Sequence, residues 1–109
     1  MKKILPVIVL CIAGSALAAF AADGKATWDD SCAKCHGADG KGDTKMGHKL
    51  HIPDLSDAAV QAGFTDEQAV SAVKNGVTDK EGKLRMKAID GLSDDDIKAV
   101  VQYVRALKK

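Results

Sequence analysis

Apolar and polar positions divide the chain into an uncharged opening run, a polar glycine-bearing middle and two stretches with a helical period. No charged side chain occurs from Ile4 to Ala22. Beyond Asp23, charged and apolar residues intermix and no run has the period of two that marks a half-buried strand. A helix is expected over Asp23 to Cys32, with Gly24 one turn before Trp28 and Trp28 four residues before Cys32. Gly37, Gly40, Gly42 and Gly47 mark an aperiodic loop. Ser56 to Ala62 predicts a short helix. Thr65-Asp66-Glu67-Gln68 is a capping box that opens a helix ending at Asn75 before Gly76, with Ala69, Val70 and Val73 as its apolar stripe. Ser93-Asp94-Asp95-Asp96 caps the last helix, whose first-turn carboxylates complement the dipole. Its apolar face is Ile97, Val100, Val101, Val104 and Leu107, with Lys108-Lys109 at the favourable end. The pattern predicts an all-α domain without repeats.

The opening run has its own logic. Met1 to Lys3 is short and positive, the apolar stretch follows, and small residues lead to an A-x-A site at Ala19-Phe20-Ala21. This is the layout of a secretory signal peptide, expected to occupy residues 1–21 with cleavage after Ala21, leaving a domain over residues 22–109. A retained anchor is the rival, since about 18 apolar residues just span a bilayer. The Ala-rich end and Pro6 within the run favour removal. Cys11 follows the bulky Leu10, which does not suit a lipid-modified cysteine. The expected location is a bacterial periplasm, with no stable membrane insertion after cleavage.

Composition changes the picture in two ways. Sixteen basic residues against fifteen acidic ones give a net charge of +1, and loss of Lys2 and Lys3 turns this to −1. A chain so balanced has no electrostatic grip on nucleic acid. After cleavage the aromatic residues are Trp28, Phe64 and Tyr103 alone. A short chain buries a modest share of its surface. With so few large rings its core is thin, and something else should fill the middle.

The cysteines say what. Cys32-Ala33-Lys34-Cys35-His36 is C-x-x-C-H, the attachment signature for one covalent c-type haem. On a helix, residues three and four apart share a face, so two thiols meet the haem vinyls and the imidazole lies under the iron. A thioredoxin-like pair or a plain disulfide competes for C-x-x-C, but the former needs strands alternating with helices. A zinc site using His48 and His51 is formally open and leaves His36 unexplained.

In these features, from Gly24 to Leu107, the chain resembles the class I cytochromes c, small monohaem electron carriers. The resemblance rests on C-x-x-C-H, on Gly24 and Trp28 in the first helix, and on Tyr103 in the last. It implies a cytochrome c fold, with helices wrapped around one haem and the terminal helices crossing near the glycine. It places the second axial ligand at Met86, 50 residues after His36 and seven before Ser93. Lys87 stands where the family often has proline, which leaves that loop less rigid. Met46, His48 and His51 compete as ligands. Ile52-Pro53-Asp54-Leu55 resembles the family's proline–x–leucine segment, in which the proline carbonyl accepts from the ligating histidine's Nδ1 and the leucine packs on the haem. Pro53 and Leu55 carry those roles here by the same resemblance.

The implied function is one-electron transfer without catalysis. Iron cycles between Fe(II) and Fe(III) with both axial ligands in place, and a thioether ligand favours Fe(II). Partners are redox proteins, and the chain is expected to be a monomer. Around the expected haem edge, residues 34–51 and 80–88 carry Lys34, Lys41, Lys45, Lys49, Lys80, Lys83, Arg85 and Lys87 against Asp39, Asp43 and Glu81. Such a collar would steer an acidic partner. Two other classes stay open: a haem subunit of a larger respiratory complex, and a ligand-binding or peroxidatic haem if Met86 does not bind iron.

Overall fold

Helix α1, Gly24–Ser31, starts where Asp23 accepts a hydrogen bond from the Ala26 amide at 3.1 Å. The computed structural model describes residues 23–109, so the expected signal peptide and its cleavage site lie outside the described residues. Five further helices follow: α2 Ala33–His36, α3 Lys45–Leu50, α4 Ala58–Ala62, α5 Asp66–Asn75 and α6 Asp94–Ala106. Between α5 and α6 lie two short antiparallel strands, β1 Val77–Thr78 and β2 Leu84–Met86, with Val77 opposite Met86 and Thr78 opposite Leu84. Among the described residues no helix is long and apolar enough to cross a membrane.

α1 and α6 cross at Gly24. A Cβ there would collide with the Ala99 carbonyl oxygen, so only glycine allows the backbones this close. One turn on, the Trp28 and Tyr103 rings meet at 5.8 Å between centroids. The apolar stripe of α6 buries Ile97, Val100 and Val101, and α5 adds Val73. Of these, Val73, Ile97 and Val100 join Trp28 and Cys32 in a small core, against which Leu55, Val70, Met86, Ile89, Leu92, Val104 and Leu107 pack. The core is as thin as the aromatic count predicts.

The expected capping box of α5 and the expected Ser93 cap of α6 are present, and the latter is also a capping box. Thr65 and Gln68 cap α5, and Ser93 with Asp96 caps α6. α5 ends at Gly76, which takes φ 76°.

Other expectations need correction. The first helix stops at Ser31, because the chain breaks at Cys32 before the one-turn α2. The predicted Ser56–Ala62 helix begins only at Ala58, because Asp57 is its cap and Asp54 holds Ser56 in a turn. The glycine-rich loop contains α3, opened by Thr44, whose hydroxyl accepts from the Gly47 amide at 2.8 Å. Gly47 is therefore a helix residue, required because a Cβ there would strike the Gly42 carbonyl oxygen. The small sheet also went unforeseen, although the all-α class stands.

A polar knot closes the far side. Buried Gln61 donates through Nε2 to the carbonyls of Leu55 and Val104, both at 2.7 Å. Arg105 donates to the Gln61 and Phe64 carbonyls at 2.7 and 2.8 Å and to Asp66 at 2.7 Å, and its guanidinium stacks on Phe64.

Candidate functional site

The segment from Cys32 to His36 is a single helical turn, and its carbonyls are almost all engaged. The Cys32 oxygen accepts from the amides of Cys35 and His36 at 3.2 and 3.0 Å, and the Ala33 oxygen from Gly37 at 2.7 Å. Thr44 Oγ1 donates to the Cys35 oxygen at 2.6 Å, and the Gly42 amide to the His36 oxygen at 2.7 Å. Gly37 ends the turn at φ 86°, and its carbonyl accepts from Trp28 Nε1 at 3.1 Å. The turn is thus bolted to α1 on one side and to the segment entering α3 on the other. It presents Cys32, Cys35 and His36 at helical spacing.

Both thiols are free: Cys32 is buried and Cys35 half-buried. Burial, with a smaller contribution from Cys35, pushes the Cys32 thiol up to about 11. Burial also lowers the His36 pKa, so the ring is a neutral imidazole, the form that donates a lone pair to a metal. Its Nδ1 is buried without a hydrogen-bond partner. A neutral imidazole beside two reduced thiols on one turn fits a covalently attached haem c: the thiols would carry the thioethers and His36 an axial bond.

The other expected residues fall in different places. Leu55 is half-buried against the core, its amide donating to Gly40 O at 2.8 Å and its carbonyl accepting from Gln61. Met86 lies half-buried on β2 and packs on the same core that holds Cys32. Pro53 is exposed, and the expected bond from His36 Nδ1 to its carbonyl is not made. The imidazole instead stands beside the Trp28 ring, 5.5 Å between centroids. Met46 is half-buried on α3, whereas His48 and His51 are exposed. His48 Nε2 pairs with Asp43 at 2.7 Å, and His51 takes the left-handed conformation that ends α3. Among the described residues no three His, Cys, Asp or Glu side chains form a metal cluster, so the zinc arrangement finds no support.

Two participants were not legible in the sequence. The indole of Trp28 reads as core, but it also holds the carbonyl that ends the His36 turn. Arg85, grouped with the collar, is half-buried, and its Nη2 donates to the Leu50 carbonyl at 2.8 Å. No sequence signal marks either bond, since each joins a side chain to a carbonyl in another part of the fold.

The cytochrome c family model matches residues 21–108. Two curated relatives are cbb3-type cytochrome c oxidase subunits named FixP. The one from Rhizobium meliloti (strain 1021) is 34% identical over 84 residues, and that from Sinorhizobium medicae (strain WSM419) is 33% identical over the same length. The match takes in 77% of this chain and 26% of each relative, so the chain spans about a quarter of their length. A solved structure, the KustC0563 c-type cytochrome, superposes with a TM-score of 0.68 at 30% identity. That superposition covers 80% of this chain and 99% of the other.

Proposed function

The chain belongs to the cytochrome c family and carries covalent haem c for electron transfer, and we propose that it is a soluble one-electron carrier with His36 and Met86 as axial ligands. The reading is carried by the single hydrogen-bonded turn that sets Cys32, Cys35 and His36 at helical spacing. When bound, the haem supplies the Fe(II)/Fe(III) couple. The protein does the rest. Cys32 and Cys35 hold the group permanently. His36 would donate its lone pair to the iron, and by the family resemblance the Pro53 carbonyl would accept from its Nδ1, a bond not made in the present ring orientation. Met86 contributes a soft thioether that favours the reduced state, and Leu55 closes the apolar wall. With His36 and Met86 both holding the iron, no position would be left for a substrate, and the chain would move an electron rather than catalyse a reaction.

The chain acts in an exported compartment, consistent with the C-x-x-C-H signature and the opening run. It meets its partners through exposed Lys34, Lys41, Lys45, Lys49, Lys80, Lys83 and Lys87, beside the exposed apolar pair Val77 and Leu84. The names of the FixP relatives favour a second reading, in which the domain delivers electrons as a haem module of a cbb3-type oxidase.

The test is the optical spectrum of the ferric, haem-loaded protein. A weak near-infrared thioether-to-iron band is expected, lost in Met86→Ala and retained in Met46→Ala. Absence of the band from the parent protein at neutral pH overturns methionine ligation and opens the iron to His48, His51 or external ligands.

A further inference from the structure

Met86 is mounted on one wall of the site by its own hairpin. β2 pairs with β1, and Gly76 turns at φ 76° so that the Met86 carbonyl can pass 2.7 Å from where a Cβ would stand. The hairpin loop is tied by Asp79, whose Oδ1 accepts from the amides of Glu81 and Lys83 at 3.0 and 2.9 Å. Ile89 N donates to Val73 O on α5 at 2.9 Å. All of these bonds stay on the Met86 side of the fold. Among the described residues, one hydrogen bond crosses from this hairpin to α3 and the His36 side: Arg85 Nη2 to Leu50 O at 2.8 Å.

The partner atom suits the donor. Leu50 is the last residue of α3, and the terminal carbonyls of a helix have no amide within the helix to bond. A guanidinium there satisfies one of them and lies at the favourable end of the dipole. Arg85 is also the neighbour of Met86 on the strand, and successive strand residues point to opposite faces. Fixing the Arg85 side against α3 therefore fixes the rotation of β2, and with it the face that presents the thioether. Lys87 follows Met86, so no proline stiffens this segment.

We propose that Arg85 is a positioning residue for Met86: a strap across the site that holds β2 closed in place of a stiffening proline. The proposal rests on the reading of Met86 as axial ligand. The strap bond exists only while the strand is closed. Removing it raises the open fraction by the factor the bond was worth, roughly tenfold or more for a hydrogen bond from a charged donor.

The experiment uses the ferric, haem-loaded protein, titrated with imidazole, which takes the thioether's place only when β2 opens. Arg85→Met keeps the stem and removes every donor. Imidazole is expected to bind it roughly tenfold or more tightly than it binds the parent. The Ile89 amide should exchange with solvent faster by a similar factor. Lys98→Met removes a positive charge from an exposed position on α6 that takes no part in the strap bond and is expected to match the parent. Arg85→Lys keeps the charge on a shorter reach and should fall between, and it carries the same comparison if Arg85→Met fails to load haem. Equal affinities and exchange rates in parent and Arg85→Met, with the near-infrared band present in both, overturn the strap alone. An equal shift in Lys98→Met overturns it in favour of net charge. A parent protein without the band overturns the Met86 reading and the strap together.

Discussion

Trp28 links packing to chemistry more directly than any other side chain here. Its ring is 1% exposed, touches Tyr103 of α6 and stands beside His36, while its Nε1 holds the carbonyl that ends the Cys32–His36 turn. The two contributions are separable. Trp28→Phe keeps most of the ring and removes one of two donors to the Gly37 carbonyl, which keeps the Gly40 amide at 3.2 Å, an expected cost of about 0.5–1.5 kcal/mol. Trp28→Ala also empties the core and should cost about 3–5 kcal/mol. Denaturant midpoints at constant slope measure both, and a Phe variant as stable as the parent would remove the indole–carbonyl bond from the account. At this scale the sequence was legible where chemistry depends on spacing. Cys32, Cys35 and His36 fall on one turn because three- and four-residue separations do so in any helix. It was illegible where a bond depends on what lies across the fold. Nothing local tells that Trp28 reaches Gly37, that Arg85 reaches Leu50, or that Pro53 stands exposed with His36 Nδ1 unpaired.

The elements divide along the same line. α5 and α6 announce themselves through caps and apolar stripes, signals written within a dozen residues. α3 has six residues and β1 only two, too short for any period to register, and both are set by tertiary bonds: Thr44 to the Cys35 carbonyl, Arg85 to Leu50, Ile89 to Val73. The knot around Arg105 works likewise, joining α4 and the α4–α5 turn to α6 across some forty positions of sequence. Arg105→Met should cost about 2–3 kcal/mol, since charge-assisted bonds to two carbonyls and to Asp66 are lost together. Ser93→Ala, which removes a single cap, should cost about 1 kcal/mol. Chemical denaturation of the two variants side by side checks the order. If Arg105→Met proves no worse than Ser93→Ala, the knot does not hold α4 to α6.

For the whole molecule, the thin core and the distribution of charge both bear on function. The buried apolar set is Trp28, Cys32, Val73, Ile97, Val100 and Val101, and the side chains around it are only half-buried. A small domain with so little of its own apolar interior is stabilised by a large group held between its walls. On the proposed reading, Cys32, Cys35 and His36 would therefore serve stability as well as electron transfer. The charge is near balance in total but not in place: seven exposed lysines lie on segments 34–51 and 80–88, and the strap from Arg85 to Leu50 brings these segments together at α3 and β2. Several nearby carboxylates are already committed, Asp43 to His48 and Asp39 and Asp79 to backbone amides. Encounter with an acidic redox partner should slow steeply as ionic strength rises, because steering is screened beyond about 8 Å in physiological salt. Lys83→Glu should slow encounter at low salt and leave the near-infrared band unchanged, since Lys83 is exposed on the hairpin loop before β2. Stopped-flow electron transfer against salt measures this. A salt-independent rate removes the collar from the docking account. Stable co-purification with an oxidase at moderate salt would instead favour the module reading, in which the same face is already covered.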